Sequence, residues 1–339
     1  MWNQECMNMN PGRTGYSVNI IFINDLPECI SSANPFLFAD DTKLVKCITS
    51  TEDQLELQTD INQLSSWCTT WNMQLNEGKY NVLRITHPSW HEDNPNTLYS
   101  IHNSHLNFAT KEKDLGLCIA NNLSWSLHYN LISSKAYRAL NLIRRTISMK
   151  SETSTKKSLY ITLVRSQVTY CSQVWRPNLI KDIQKLERIQ RRATKFILND
   201  YSSSYRSRLS DLKLLPLMYW FEIQDIMFLV KSLKEPSDNF NIRDHIKFVT
   251  GRTRFSCNNK LTVQANHYSA SRHFYLNRIT RLWNLMPTML MDISAPLTST
   301  KNTLHHYFWE HFKQNFVSDI PCTYHLMCPC NRCYTRNYS

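Results

Sequence analysis

Glycine is scarce in this chain: 5 of 339 residues, of which only Gly12 and Gly15 stand close together. The dinucleotide fingerprint, the P-loop and the G-x-S-x-G elbow all need clustered glycines, because the backbone must approach a phosphate or turn sharply around a nucleophile. All three chemistries are excluded. Long hydrophobic runs are missing too. A membrane-spanning helix asks for roughly 18 or more apolar residues. The most apolar stretch, Leu217 to Val230, is interrupted by Glu222, Gln224 and Asp225. The first residues, MWNQECMNMNPGR, have no apolar centre of the kind a secretory signal needs. The expectation is a cytoplasmic or nuclear protein without a membrane partner. Its 11 cysteines are scattered except near the C-terminus, as suits free thiols in a reducing compartment.

Acidic side chains are in short supply over only part of the chain. Residues 1 to 120 carry 7 basic and 14 acidic side chains, net −7, whereas the remainder carries 32 and 13, net +19. Such asymmetry points to a polyanionic partner, for which RNA or DNA is the commonest candidate, with a solvated basic face as the plainer reading. With 42% hydrophobic and 19% charged residues the chain is too apolar to be disordered.

Residues 36 to 48, FLFADDTKLVKCI, are two apolar runs separated by Asp40-Asp41-Thr42, and predict a hairpin with an acidic tip. Thr51-Glu52-Asp53-Gln54 is a capping-box pattern opening a helix whose apolar stripe is Leu57, Ile61, Leu64, Cys68 and Trp71, ended by Asn76-Glu77-Gly78. Tyr80 to Thr86 and Lys113 to Ile119 predict strands, with a polar loop from about His87 to Asn107 between them. Beyond Asn122 the period becomes helical, clearest at Leu131 to Ile147, Ser158 to Val174, Lys181 to Ile197, Met218 to Leu233 and Tyr268 to Trp283. The fold class is therefore α+β, with residues 1–120 mixed, 121–290 mainly helical, and 291–339 a tail. In Lys181 to Ile197 an apolar stripe leaves the rest of the helix to basic residues, a form that suits phosphate contact. The candidate nucleic-acid contacts are Lys135, Arg138, Arg144, Arg145, Lys185, Arg188, Arg191, Arg192 and Lys195.

Two aspartates at a tight turn can reach one side of a hairpin and present hard oxygen ligands to Mg²⁺. An aspartate pair is also ordinary turn chemistry. Phe38-Ala39-Asp40-Asp41 resembles the palm motif of reverse transcriptases. Together with FINDLPECI at Phe22 to Ile30, it is similar to the palm of LINE-type (non-LTR) retrotransposon enzymes, especially the jockey-like group. WNMQLNEGKYNVLRIT (Trp71 to Thr86) resembles the family's next motif, and KDLGLCIANNLSWSLH (Lys113 to His128) its palm-to-thumb segment. The helical region through Leu285, with SKAYRALNLIRRT and the segments of Trp175 and Arg191-Arg192, resembles the thumb and post-thumb part of such elements. The resemblance implies a partial reverse-transcriptase palm with an Asp-Asp hairpin, followed by a thumb-like helical region. Asp40 and Asp41 would be the Mg²⁺ carboxylates and Lys79 a residue near the leaving pyrophosphate.

The sequence departs from the family at its start. Only 39 residues precede Asp40. Asp25, the one aspartate among them, does not match the family's earlier palm aspartate. PGRTGYSVNII at Pro11 to Ile21 lacks the family's glutamine. The expectation is a fragment of an RNA-directed DNA polymerase that is inactive in isolation, the alternative being a non-catalytic nucleic-acid-binding protein that uses its basic helices. At the other end Cys322, His325, Cys328, Cys330 and Cys333 fall within twelve residues. They are either a Zn²⁺ site needing four of the five or reduced thiols on a frayed tail. His305, His306 and His311 in HHYFWEH read as a helix edge.

Overall fold

A computed structural model of the chain describes residues 2–3, 23–39, 41–73, 75, 79–86, 99–102, 104–237, 241–249, 259–263 and 270–328. It is mixed α and β, in line with the α+β expectation. The chain divides into two compact units, Met1–His128 and Tyr129–Ser339. Among the described residues no helix is long and apolar enough to cross a membrane.

The strands of the first unit are β1 (Trp2–Asn3), β2 (Asn34–Phe38), β3 (Asp41–Val45), β4 (Tyr80–Leu83), β5 (Ser100–Ile101), β6 (Ser104–His105), β7 (Asn107–Ala109), β8 (Lys111–Asp114) and β9 (Leu117–Ala120). They form a five-stranded sheet in the order β2-β3-β1-β4-β7 and two small ribbons, β5-β6 and β8-β9. Register assigns the faces, because successive side chains alternate. Pro35 pairs with Leu44 and Leu37 with Thr42, and Leu44 and Thr42 are buried. Phe36, Phe38 and Val45, with Asp41 and Lys43, take the opposite face, where the three apolar side chains are exposed.

Helix α1 (Thr51–Thr70) covers the buried face. Its cap is Ser50, whose hydroxyl accepts from the Asp53 N–H while the Asp53 carboxylate accepts from the Ser50 N–H, one residue before the pattern expected from Thr51. Leu57, Ile61, Leu64 and Cys68 are buried against Ile23, Leu26, Leu44, Tyr80, Val82, Ile101 and Leu106. The helix stops at Thr70, leaving Trp71 as an exposed cap. Asn72 at φ 55 supplies the left-handed stop that Asn tolerates. Asn76-Glu77-Gly78 and residues 87–98 lie outside the described residues. The segment expected as one strand from Lys113 to Ile119 is instead the β8-β9 hairpin, turned by Leu115 (φ 43) and Gly116 (φ 89). A two-residue turn with both φ positive is the form that matches strand twist, and Gly116 removes half of its steric cost.

The helices of the second half are α2 (Ser126–Thr146), α3 (Thr153–Leu159), α4 (Ser166–Thr169), α5 (Ser172–Trp175), α6 (Ile180–Leu198), α7 (Tyr205–Asp211), α8 (Leu217–Lys234), α9 (Tyr275–Leu285) and α10 (Leu297–Asn315). The expected single helix from Ser158 to Val174 is broken. A π-helical turn spans Tyr160–Arg165, and Cys171 at φ 52 separates α4 from α5. Neither break carries a Gly or Pro signal. Helix α8 is apolar nearly all round and forms the centre, with Leu217, Tyr219, Phe221, Ile226, Leu229 and Val230 at most 1% exposed. Aromatic rings extend this core: Trp175 on Phe221 at 5.6 Å, Tyr219 on Phe308 at 5.6 Å, and Phe316 between Phe312 and Tyr324.

Candidate nucleic-acid interface

In the β2-β3 hairpin Phe38 pairs with Asp41, and Ala39 follows the end of β2. The expected tip, Asp40-Asp41-Thr42, is thus displaced: Asp41 and Thr42 already belong to β3. A two-residue turn requires positive φ, and Ala39 takes it at φ 54, at a cost of roughly 1–2 kcal/mol for a residue with a Cβ. Asp40 lies outside the described residues. Asp41 stands half exposed on the face of Phe38 and Lys43, away from the core. Its carboxylate is the kind of hard oxygen donor that a Mg²⁺ ion takes.

Lys79 immediately precedes β4. Trp2 lies opposite both Lys43 and Asn81, and Asn3 opposite Tyr80. This register sets Lys43 and Asn81 in one row on either side of β1. Asp41, two residues from Lys43 along β3, shares its open face. Neighbours on that face are held by β8: Lys43 Nζ meets Asp114 Oδ1 at 2.5 Å, and Asn81 Nδ2 donates to Glu112 Oε2 at 3.1 Å.

The hairpin is anchored by Asp60, a residue that no motif in the sequence singles out. It sits on the buried side of α1, fully inaccessible, between Leu57 and Ile61. Oδ1 accepts from the N–H and hydroxyl of Ser31, each at 3.0 Å. Oδ2 accepts from the Ser32 N–H at 3.1 Å, the Ser32 hydroxyl at 2.6 Å and the Ala33 N–H at 2.7 Å. Burial alone would raise the carboxyl pKa, but the bonds from Ser32, Ser31 and Ala33 hold it below the ordinary value. The loop leading into β2 is therefore pinned to the helix behind the sheet. The available signal was an acid inside an apolar helical stripe.

In the second unit α2 and α6 lie side by side. Lys185 Nζ donates to Asn130 Oδ1, and the Arg192 guanidinium lies 5.8 Å from the centre of the Tyr137 ring. Both contacts advance together along the two helices, which makes them parallel. From Tyr129 to Thr146, α2 contains no acidic residue. The acids of α6, Asp182 and Glu187, are both buried. The surface of the pair therefore carries no exposed carboxylate. Lys135, Arg138, Arg145, Arg188 and Arg192 are exposed, and Arg144, Lys185 and Lys195 half exposed. Arg191 has another use. Its guanidinium donates to Ser318 O and Tyr324 Oη and stacks 4.5 Å from the Tyr205 ring, tying the C-terminal segment to α6.

Three acids of this unit are fully inaccessible or nearly so. Glu187 accepts from the Tyr205 hydroxyl and from the Leu217 N–H at 3.0 Å, capping the first turn of α8. Burial pushes its carboxyl up to about 7 against the lowering effect of those bonds. Glu222 and Asp225 are the residues that interrupt the apolar run of α8. Arg176 bridges them, with 2.9 Å to each, and Arg278 Nε reaches Asp225 Oδ2 at 2.9 Å. Glu222 also accepts from the N–H groups of Leu326 (2.7 Å) and Met327 (3.0 Å).

Through Cys328 the tail is accordingly packed rather than frayed. Tyr324, His325 and Met327 are buried. Among the described residues neither ring nitrogen of His325 has a hydrogen-bond partner, and burial, then Arg176, lowers its pKa to about 3. A neutral imidazole with unengaged nitrogens is compatible with metal ligation. Cys322 and Cys328 are half buried, while Cys330 and Cys333 lie outside the described residues. Among the described residues no three His, Cys, Asp or Glu side chains cluster as a metal site would need. In HHYFWEH, His311 Nδ1 meets the Tyr219 hydroxyl at 2.7 Å on the inner side of α10.

The chain matches no protein-family model, no curated protein and no solved structure.

Proposed function

We propose that the chain is a palm and thumb-like portion of a LINE-type reverse transcriptase that holds RNA and DNA. Asp40 and Asp41 are the metal carboxylates and Lys79 the cation at the leaving phosphate. The observation that supports this reading most is the place of Asp41 on the open face of the sheet, paired to Phe38 beside the strained Ala39. Two carboxylates and a lysine are the groups that phosphoryl transfer uses, the acids gripping Mg²⁺ and the ammonium meeting charge on the departing group. The ion would supply Lewis-acid stabilisation there. The residues of this chain supply the ligands and a face with exposed Phe36 and Phe38.

The second unit supports binding independently of catalysis. A pair of parallel helices with exposed arginines and no exposed carboxylate suits phosphate contacts that carry no sequence preference. That same face supports the alternative of a nucleic-acid-binding protein without catalysis.

Photo-crosslinking from the primer 3′ end of an RNA–DNA hybrid, with Mg²⁺ present, separates the two. Crosslinks within Phe38 to Asp41 or at Lys79 are the expected result. Crosslinks confined to α2 and α6 would leave only the binding function. No extension of the primer by the 339-residue polypeptide is expected, and extension lost in Asp40→Ala would show that no further aspartate is needed.

A further inference from the structure

The π-helical turn at Tyr160–Arg165 has no Gly or Pro to account for it, and its effect is on which side chains share a face. Such a turn holds about one residue more than an α-helical turn. Positions eight apart on an α-helix drift by about 80° round the axis; the wider turn takes back most of that, so Lys157 of α3 and Arg165 face the same way. Arg165 lies across the Trp220 ring of α8, 4.5 Å from its centre. Stacking uses the flat face of the guanidinium and leaves its in-plane N–H donors free. Lys213 joins from the turn between α7 and α8 at φ 49, a position where glycine would carry no penalty. Lys301 and His305 stand one turn apart on α10.

These cations are unmatched. Among the described residues the side chains of Lys157, Arg165, Lys213 and Lys301 enter no ion pair and no hydrogen bond. Burial, then Arg165 and Lys213, lowers the pKa of Lys157; burial, then Arg165, Lys301 and Lys157, lowers that of His305. No carboxylate among the described residues, that of Asp211 on α7 included, acts on either group. Like charges held together cost free energy that a bound anion returns. Lys213 and Lys301 are exposed and Lys157, Arg165 and His305 half exposed, so the patch is open to a ligand much larger than a single ion.

We infer that this patch, running from α3 and the π turn across Lys213 to α10, holds the phosphodiester backbone of a nucleic-acid strand. Cations spread over several elements suit a run of phosphates better than one phosphate, and a guanidinium already fixed on an indole loses little ordering entropy in meeting an oxyanion. The exposed positions beside Lys157 and Arg165 are Ser158, Thr162 and Ser166. They give no apolar centre of the kind a protein partner needs. The inference rests on the reading that the chain binds nucleic acid, but no residue of the hairpin or of the α2–α6 face takes part.

The test titrates the full chain with a single-stranded oligonucleotide, followed by fluorescence anisotropy over a range of salt. Lys157→Gln, Lys213→Gln and Lys301→Gln are combined; none of the three side chains has a partner to lose, and circular dichroism checks that the variant folds. Its affinity should fall about tenfold or more, and its slope of log affinity against log salt by about 2, roughly 0.7 for each phosphate left without its lysine. Arg165→Lys keeps the charge and removes the planar fork, so it should weaken binding with the slope unchanged. The triple change should lower the slope by the same amount when Arg138, Arg145, Arg188 and Arg192 are already Ala. An unchanged slope in the triple variant, beside a reduced one in that α2–α6 variant, overturns this inference and leaves the binding reading standing. If wild type does not bind the oligonucleotide, the two fail together. Binding of a polyglutamate peptide that depends on the three lysines, while oligonucleotide binding does not, would overturn the inference in favour of an acidic protein partner.

Discussion

Asp60→Asn removes one charge and changes almost no volume, so its cost isolates the anchor behind the hairpin. In the wild type, Oδ2 receives the Ala33 N–H at 2.7 Å, the Ser32 hydroxyl at 2.6 Å and the Ser32 N–H at 3.1 Å. An amide NH₂ in that position can take the Ser32 hydroxyl as acceptor, but it faces the Ala33 N–H donor to donor. Ala33 is 7% exposed, so water does not replace the missing partner. An orphaned buried donor costs about 1–3 kcal/mol, and loss of charge weakens the bonds on Oδ1, for a total of about 3 kcal/mol. That is a large part of the ~5–15 kcal/mol that holds a typical domain.

The pH dependence supplies a second, independent readout. Because the folded pKa lies below the ordinary value, the carboxylate's contribution is present above the unfolded pKa and is lost as pH falls through the folded one. Wild type should therefore lose stability below about pH 4, and Asp60→Asn should lose less over the same range. Denaturant unfolding of the full chain measures the cost. Amide exchange at Ala33 and along β2 should quicken in the variant while the amides of α8 stay protected. A cost below about 0.5 kcal/mol, or an unchanged acid limb, would refute the anchoring argument.

Other consequences are equally direct. Glu187, raised by burial to about 7 from an ordinary 4.5, binds its proton more tightly when folded. Its contribution is thus full at low pH and fades as pH rises to 7, by up to about 3 kcal/mol, and Glu187→Gln should flatten that limb of the unfolding curve. Joint replacement of Arg138, Arg145, Arg188 and Arg192 by Ala should lower oligonucleotide affinity and reduce the slope of log affinity against log salt by about 3, roughly 0.7–0.9 for each phosphate left without its arginine. Unchanged slope in anisotropy titrations would remove the α2–α6 face. Ala39→Gly should stabilise the hairpin by up to about 1 kcal/mol, since glycine carries no penalty at positive φ, and a loss of stability would show that the turn is not strained. In a peptide spanning Cys322 to Cys333, cobalt should give thiolate charge-transfer bands that zinc displaces one to one, and a flat titration would withdraw the metal site.

Where periodicity was strong, the sequence was a good guide. Leu57, Ile61, Leu64 and Cys68 are buried, and α6 and α8 begin and end within a residue of the predicted spans. The differences arise where the backbone takes positive φ at residues that are not glycine. Ala39, Leu115 and Cys171 respectively shift a turn, split a strand and break a helix. Side-chain identity carries little signal at such positions, because tertiary packing offsets the local cost. The row of Lys43 and Asn81 was likewise invisible, since it depends on β1 entering between two strands that are distant in sequence from it. The candidate residues were legible as types, and their geometry was not.

Buried acids change how charge reads along the chain. In the sequence, Glu222 and Asp225 are interruptions of an apolar run, and Asp182 and Glu187 dilute a basic helix. In the fold all four are buried, and Glu222 and Asp225 are engaged by Arg176 and Arg278. Breaking such a pair from one side costs about 3–5 kcal/mol, so the arrangement is held firmly even though the pairs add little net stability over an apolar core. Its larger effect is on the exterior. Acids drawn inward cannot screen the exposed Lys135, Arg138, Arg145, Arg188 and Arg192, so the surface is more uniformly positive than the run of residues suggests. The positive field thus follows from which charges the core absorbs as much as from how many basic residues there are, and a polyanion approaching α2 and α6 meets no opposing carboxylate on either helix.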